Sequence, residues 1–257
     1  MEELLTFDFA QIALVSGLVF LAGFIDSIAG GGGLISLPAY VLTGMPMHAA
    51  LASNKFSSTF GTAFSAFNFL RNGKVYIKAI PVSVIFALLG SSAGAWVALL
   101  TGDEFLRYML MIMIPIVAIV VLTKKGFGKE NRTDTLKQST IILGAAGAAL
   151  TIGFYDGFFG PGTGTFLILI FTALLRFDLV MANGNAKIIN LSSNLGSLVT
   201  FLIGGHVVFQ LAIPAAIFGI LGNVIGSSLA IKIGSKIIKP ILVGVLALLL
   251  INIIITW

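Results

Sequence analysis

The sequence predicts an all-α polytopic membrane protein of two homologous halves, read as inverted repeats. Each half holds four long transmembrane helices and one short broken-helix segment after a glycine-rich break. Three observations carry this expectation: apolar runs long enough to cross a bilayer recur along the chain, charged residues are scarce, and one half of the sequence repeats in the other.

Of the 257 residues, 58% are hydrophobic and only 10% are charged, with a mean hydropathy of +1.08. An ordinary soluble domain carries roughly 25% charged residues, so a water-facing surface cannot be assembled from this composition. Crossing hydrocarbon takes about 20 residues at a rise of about 1.5 Å each. Membrane-barrel strands would alternate apolar and polar residues, whereas runs such as 241–255 are apolar on every face, which selects helices. The net charge of +5 sits in short basic clusters between apolar runs, with no interleaved aromatics. That pattern reads as cytoplasmic loops, and no nucleic-acid partner is expected. With no cysteine and two histidines in unrelated contexts, His48 and His206, no cofactor or metal centre is expected either. Met1, Glu2, Glu3 and Asp8 precede the first span where a cleaved leader would carry basic residues, so that span is expected to be retained.

The long apolar runs of the first half lie at 9–29, 49–70, 79–100 and 106–123, and those of the second at 139–159, 181–203, 210–231 and 240–256. Short runs at 34–45 and 164–175 would each span only about 18 Å as helices. The halves align through GFIDSIAGGGGLI from Gly23 and GFYDGFFGPGTGTF from Gly153, pairing Asp26 with Asp156 and Gly30 with Gly160. NKFSSTFGTAFSAFNFLRNGKV from Asn54 aligns with AKIINLSSNLGSLVTFLIGGHV from Ala186, pairing Lys55 with Lys187. Further on, Gly90 and Gly94 stand opposite Gly222 and Gly226. The longest polar stretch separates the copies, giving a first repeat at 1–125, a polar linker at 126–138 and a second repeat at 139–257.

Whether the short segments cross decides the symmetry. If they do, an outside N-terminus places Arg71, Lys74, Lys78, the Lys124 to Lys137 cluster, Arg176, Lys232, Lys236 and Lys239 inside, with Arg107 alone outside. If they re-enter, Arg176, Lys232, Lys236 and Lys239 join Arg107 outside. Basic residues in short loops favour the cytoplasm, so five crossings per half and inverted repeats are expected.

The breaks at Gly30, Gly31, Gly32 and Gly33 and at Gly160, Gly162, Thr163 and Gly164 are the strongest local signal. Glycine in a helix interior costs about 1 kcal/mol relative to alanine, so a helix entering such a stretch stops. Broken backbone at membrane depth is tolerated only against protein or a wet cavity, and a paired break is a pointer to a transport site. The helix that follows each break turns N–H groups and its positive dipole end toward that site, which suits an anion. Ser36, Thr163 and Thr165 could add hydroxyl donors, although tight helix packing alone also uses small residues.

Asp26 and Asp156 precede the breaks inside apolar runs, where an ionisable group costs about 2.5–3.5 kcal/mol on insertion scales. They read as proton-coupling carboxylates, or as caps or lysine partners. Lys55 and Lys187, with Asn54 and Asn185 nearby, read as a compact positive charge with amide donors for a small oxyanion, or as lysines snorkelling to an interface. Gly90, Ser91, Ser92, Ala93 and Gly94 fit the G-x-S-x-G nucleophile elbow, but the second copy has Gly222, Asn223, Val224, Ile225 and Gly226, keeping the glycines and losing the serine. Helix packing explains both copies, and no enzyme is expected.

At these residues the sequence resembles the sulfite exporter TauE/SafE family, through GFIDSIAGGGGLISLPAYVLTGMPMHAALASNKFSSTFGTAFSAFNFLRNGKV in the first half and AKIINLSSNLGSLVTFLIGGHV in the second. The second half departs from the pattern by lacking an asparagine directly before Lys187. The resemblance implies secondary transport of sulfite, a sulfonate or another organosulfur anion. Together the readings give a small-anion transporter in the inner or plasma membrane, its partners an anionic substrate and the bilayer, with an anion channel as the alternative and, behind it, an intramembrane hydrolase built on the Ser92 elbow. The oligomeric state is left open, a homodimer included.

Overall fold

The computed structural model describes residues 7–106, 108, 112, 131–234, 236, 237 and 240. Among these the secondary structure is helical, without strands. In chain order the helices are α1 (Phe9–Ala29), α2 (Gly33–Val41), α3 (Met47–Arg71), α4 (Ile80–Leu100), α5 (Gln138–Phe158), α6 (Thr163–Ala173), α7 (Leu179–Ile203) and α8 (Phe209–Ile233). Apart from residues 106, 108, 112 and 240, the spans expected at 106–123 and 240–256 lie outside the described residues, as does the linker before residue 131.

Among the described residues five segments are long and apolar enough to cross a membrane: α1, α4 with its preceding turn, α5, α7 and α8. Helix α3 is as long as α7, at 25 residues. It buries Asn54, Lys55, Ser57 and Thr59, a polar face that belongs inside a bundle. The nine residues of α2 reach about 13 Å, under half the thickness of the hydrocarbon. Asp8 starts α1 with a capping box, accepting from the Gln11 amide at 2.7 Å while the Gln11 side chain accepts from the Asp8 amide at 3.1 Å.

The long helices pack through the glycines that the repeat retains. A Cβ on Gly222 or Gly226 of α8 would strike the α1 backbone at Phe20 and Phe24. One on Gly90 or Gly94 of α4 would strike α5 at Leu150 and Phe154. Residue numbers rise together along both pairs, so each is a parallel contact between small residues and backbone. Ser92 of the apparent elbow donates to the Gly196 carbonyl at 3.3 Å, and the motif is a helix-packing seam.

Contacts at the two ends fix the direction of the chain. At one end Gln210 donates to the Phe7 carbonyl at 3.3 Å and the Val208 amide to Ser53 Oγ at 3.0 Å, so α1, α3 and α8 start together. At the other, Lys78 donates to Gln138 at 3.0 Å, the Tyr76 amide to Asn185 at 3.2 Å, and Arg176 to Thr135 at 2.8 Å. Helices α4, α5 and α7 start there. Each short helix therefore leads the chain back to the end from which the preceding long helix came.

The first end also gathers three ionisable groups. Asp103 accepts from the Met47 amide at 2.8 Å and the His48 amide at 3.3 Å, capping α3, and lies 2.8 Å from His48 Nδ1. The His206 ring sits 5.6 Å from that of His48. Burial, then the neighbouring His48, push the His206 pKa below its ordinary 6.5, against an opposing pull from Asp103. The unfolded chain then binds a proton at His206 more readily than the folded chain, so acidification through the ordinary histidine range favours unfolding. Substituting His206→Gln should flatten the acid side of a melting-temperature profile and leave the alkaline side unchanged.

Candidate functional site

Both breaks follow from glycine geometry. Helix α1 ends where Gly30 and Gly31 take φ of 75° and 83°, and α5 gives way to Gly160 at 100° and Gly162 at 88°, with Pro161 between them. These are left-handed values that side chains with a Cβ rarely adopt. The two breaks meet: a Cβ on Gly30 would overlap the Thr165 amide nitrogen and the Gly164 carbonyl carbon, and one on Gly33 would lie 3.2 Å from Pro161 Cα. The second half also satisfies carbonyls freed at the end of α1. Asn183 donates to Ser27 and Ile28 at 2.9 Å each, and Thr165 donates to Ala29 at 3.3 Å. Non-helical backbone is thus buried against protein, as hydrocarbon requires.

Two ion pairs join the halves crosswise. Lys55 of α3 lies 2.7 Å from Asp156 of α5, and Lys187 of α7 lies 2.5 Å from Asp26 of α1. Asp156 also accepts from Thr163 at 2.8 Å and Ser193 at 2.5 Å, and Lys55 donates to Asn194 at 3.1 Å. Asp26 accepts from the Gly32 amide at 3.2 Å. Two acids and two bases thus lie amid an apolar bundle, each paired with one of the other kind, which is the condition for keeping ionisable groups there.

Between the breaks is a polar cavity of about 40 Å³, room for roughly three waters at the ~10–15 Å³ each needs. Its walls include Asp26, Gly31, Gly32, Gly33, Ser36, Asn54, Lys55, Asp156, Gly160, Gly162, Thr163 and Gly164. Of the residues selected from sequence, Gly30, Lys187 and Asn185 do not line it. Gly30 is spent on the contact between breaks, and Lys187 reaches the site through Asp26. Asn185 is a correction: it donates to the Met181 carbonyl at 2.8 Å and accepts from the Tyr76 amide, joining two helix ends away from the cavity. It stands one residue off the position aligned with Asn54, and one residue turns a helix by about 100°.

Sequence reasoning passed over Asn183 and discarded Asn223. Asn223 lines the cavity from α8 and donates to the Gly219 carbonyl at 3.0 Å, and its Oδ1 has no hydrogen-bond partner among the described residues. Gly23 and Gly61 make room for it, since a Cβ on either would come within 2.6 Å of Nδ2. The signal was available as a carboxamide inside an apolar run where the first copy has Ser91. Among the described residues no cluster of histidine and acidic side chains could hold a metal ion.

A polar cavity between two broken helices, crossed by ion pairs from opposite halves of an apolar bundle, defines a multi-pass membrane transporter. The sulfite exporter TauE/SafE family model matches residues 15–253, and the chain belongs to that family. It is 35% identical over 240 residues to the probable membrane transporter protein YfcA of Escherichia coli, covering 92% of this chain and 88% of that one. Similarity to a probable membrane transporter protein of Haemophilus influenzae is also 35%, over 90% of both chains. A Bacillus subtilis relative, the probable membrane transporter protein YdhB, is 24% identical over 91% of this chain and 99% of its own length. No solved structure matches the chain significantly.

Proposed function

We propose that this chain carries sulfite, a sulfonate or another organosulfur anion across the inner or plasma membrane as a secondary transporter. Two inverted repeats, 1–125 and 139–257 joined by 126–138, rock about the cavity and alternate its access, with proton coupling through Asp26 and Asp156. The observation that carries this reading is the crosswise pairing of Asp26 with Lys187 and Lys55 with Asp156. A motion of one half against the other must disturb both pairs, which ties the charge state of the site to the direction it faces.

Several features support each part. Inversion is supported by α1 and α3 starting at one end while α5 and α7 start at the other, with Lys78 and Arg176 together as cytoplasmic residues would be. An anion is favoured because Lys55 lines the cavity and the N-termini of α2 and α6 add positive potential. A small anion is favoured by the size of the cavity.

A melting series tests the substrate. Sulfite, thiosulfate and methanesulfonate should raise the melting temperature of the purified protein and tetramethylammonium should not. A ligand at 100 times its Kd adds about 2.7 kcal/mol to the folded state. Equal shifts with the cation would remove the anion reading. Ser92→Ala should transport at the wild-type rate, and a loss of function there would revive the hydrolase reading.

A further inference from the structure

The two carboxylates occupy aligned positions in the repeat, yet their surroundings differ. Asp156 is locked: Lys55, Thr163 and Ser193 all direct donors at it, and its side chain is 3% exposed. Asp26 accepts from Lys187 and from one backbone amide, that of Gly32, and its side chain is 14% exposed on the cavity wall. Asp26 thus has fewer donors to part from and more open surface than Asp156.

The Gly32 contact is the telling one. Gly32 opens α2, so its amide is one of the donors that the first break turns toward an anion. Asp26 therefore sits, as a tethered anion, on a donor that an entering anion would use, the N-terminus of α2, while it holds Lys187 from behind the cavity wall. We infer that Asp26 alone exchanges a proton with the cavity during transport, and that Asp156 is a fixed anchor for Lys55. A proton from cavity water adds to the Asp26 carboxylate, the Gly32 amide and Lys187 lose their acceptor, and the site gains one positive charge. One anionic charge then restores neutrality. The proton leaves to water when the anion departs on the other side, giving one proton per monoanion carried.

The groups facing Asp26 fit this exchange. Lys187 reaches it from α7, Lys55 lies near it from α3, and Asp156 stands behind Lys55. Helices α2 and α6 meet it with Gly32 and Gly164, and Asn223 of α8 shares the cavity wall with it; none of these titrates.

This inference rests on the proton-coupled reading and narrows it from two carboxylates to Asp26, but its test needs no substrate. Infrared difference spectra of the purified full chain, taken between mildly alkaline and mildly acidic buffer without any sulfur anion, should show a protonated-carboxyl stretch. The band should vanish in Asp26→Asn, move in Asp26→Glu, and persist unchanged in Asp156→Asn and Asp156→Glu. The two glutamate variants keep the assignment readable if an asparagine variant does not fold. A band that follows Asp156, or no such band in the wild type, overturns the inference. If the band follows Asp26 but sulfite is not transported, the substrate reading fails while the proton site stands.

Discussion

Replacing Lys55 by Met is expected to reduce sulfite flux in proteoliposomes to background and to destabilise the protein, and adding Asp156→Asn is expected to recover the stability but not the flux. Lys55 is almost wholly buried and lies 2.7 Å from Asp156. Removing one member of a buried pair leaves the other charge uncompensated, which costs about 3–5 kcal/mol. The single variant should therefore melt well below wild type. Making residue 156 neutral removes that penalty, and the Thr163 and Ser193 hydroxyls still have an amide oxygen to bond. The cavity nevertheless lacks the one lysine on its wall, so the double variant should fold without carrying an anion. Recovery of flux in the double variant would show that Lys55 serves the fold alone.

Gly30→Ala should be among the most damaging single-methyl changes in the chain. At φ 75° and ψ −178° Gly30 occupies a backbone region almost reserved for glycine, where a Cβ residue costs about 1–3 kcal/mol. The new methyl would also collide with Thr165 and Gly164 backbone at the meeting of the two breaks. Overpacking of that kind adds about 1–3 kcal/mol, and backbone cannot move aside as a side-chain tip can. The control is Gly147→Ala in α5, where nothing lies within 4 Å of the added Cβ. It should shift stability by no more than about 1 kcal/mol. Thermal melts in detergent separate the two, and equal melting temperatures would mean that the breaks do not pack as described.

Much of this site could be read from sequence because the chain contains its own comparison. Glycine runs, aspartates and lysines recur in both copies, and each recurrence marks a place where side-chain chemistry or backbone freedom is required. The elbow serine does not recur, and Ser92 bonds a neighbouring helix. What stayed hidden was pairing. Asp26 and Lys55 come from one copy and invite a partnership within it, but the lysine that reaches Asp26 is Lys187, 161 residues away. Pairing across the halves depends on how they pack, and no local pattern encodes it. Asn185 misled for a related reason, since proximity in sequence ignores the turn of the helix. Asn223 was visible yet discounted because it departs from its counterpart Ser91, and departures between copies are where the halves divide their work.

The most direct test of alternating access is counterflow. Vesicles loaded with unlabelled sulfite and diluted into a trace of labelled sulfite should transiently accumulate label above its equilibrium level, and the Lys55→Met/Asp156→Asn variant should not. Label that simply equilibrates, at the same rate whether or not the vesicles hold unlabelled sulfite, would identify a channel and contradict a carrier built on two rocking halves.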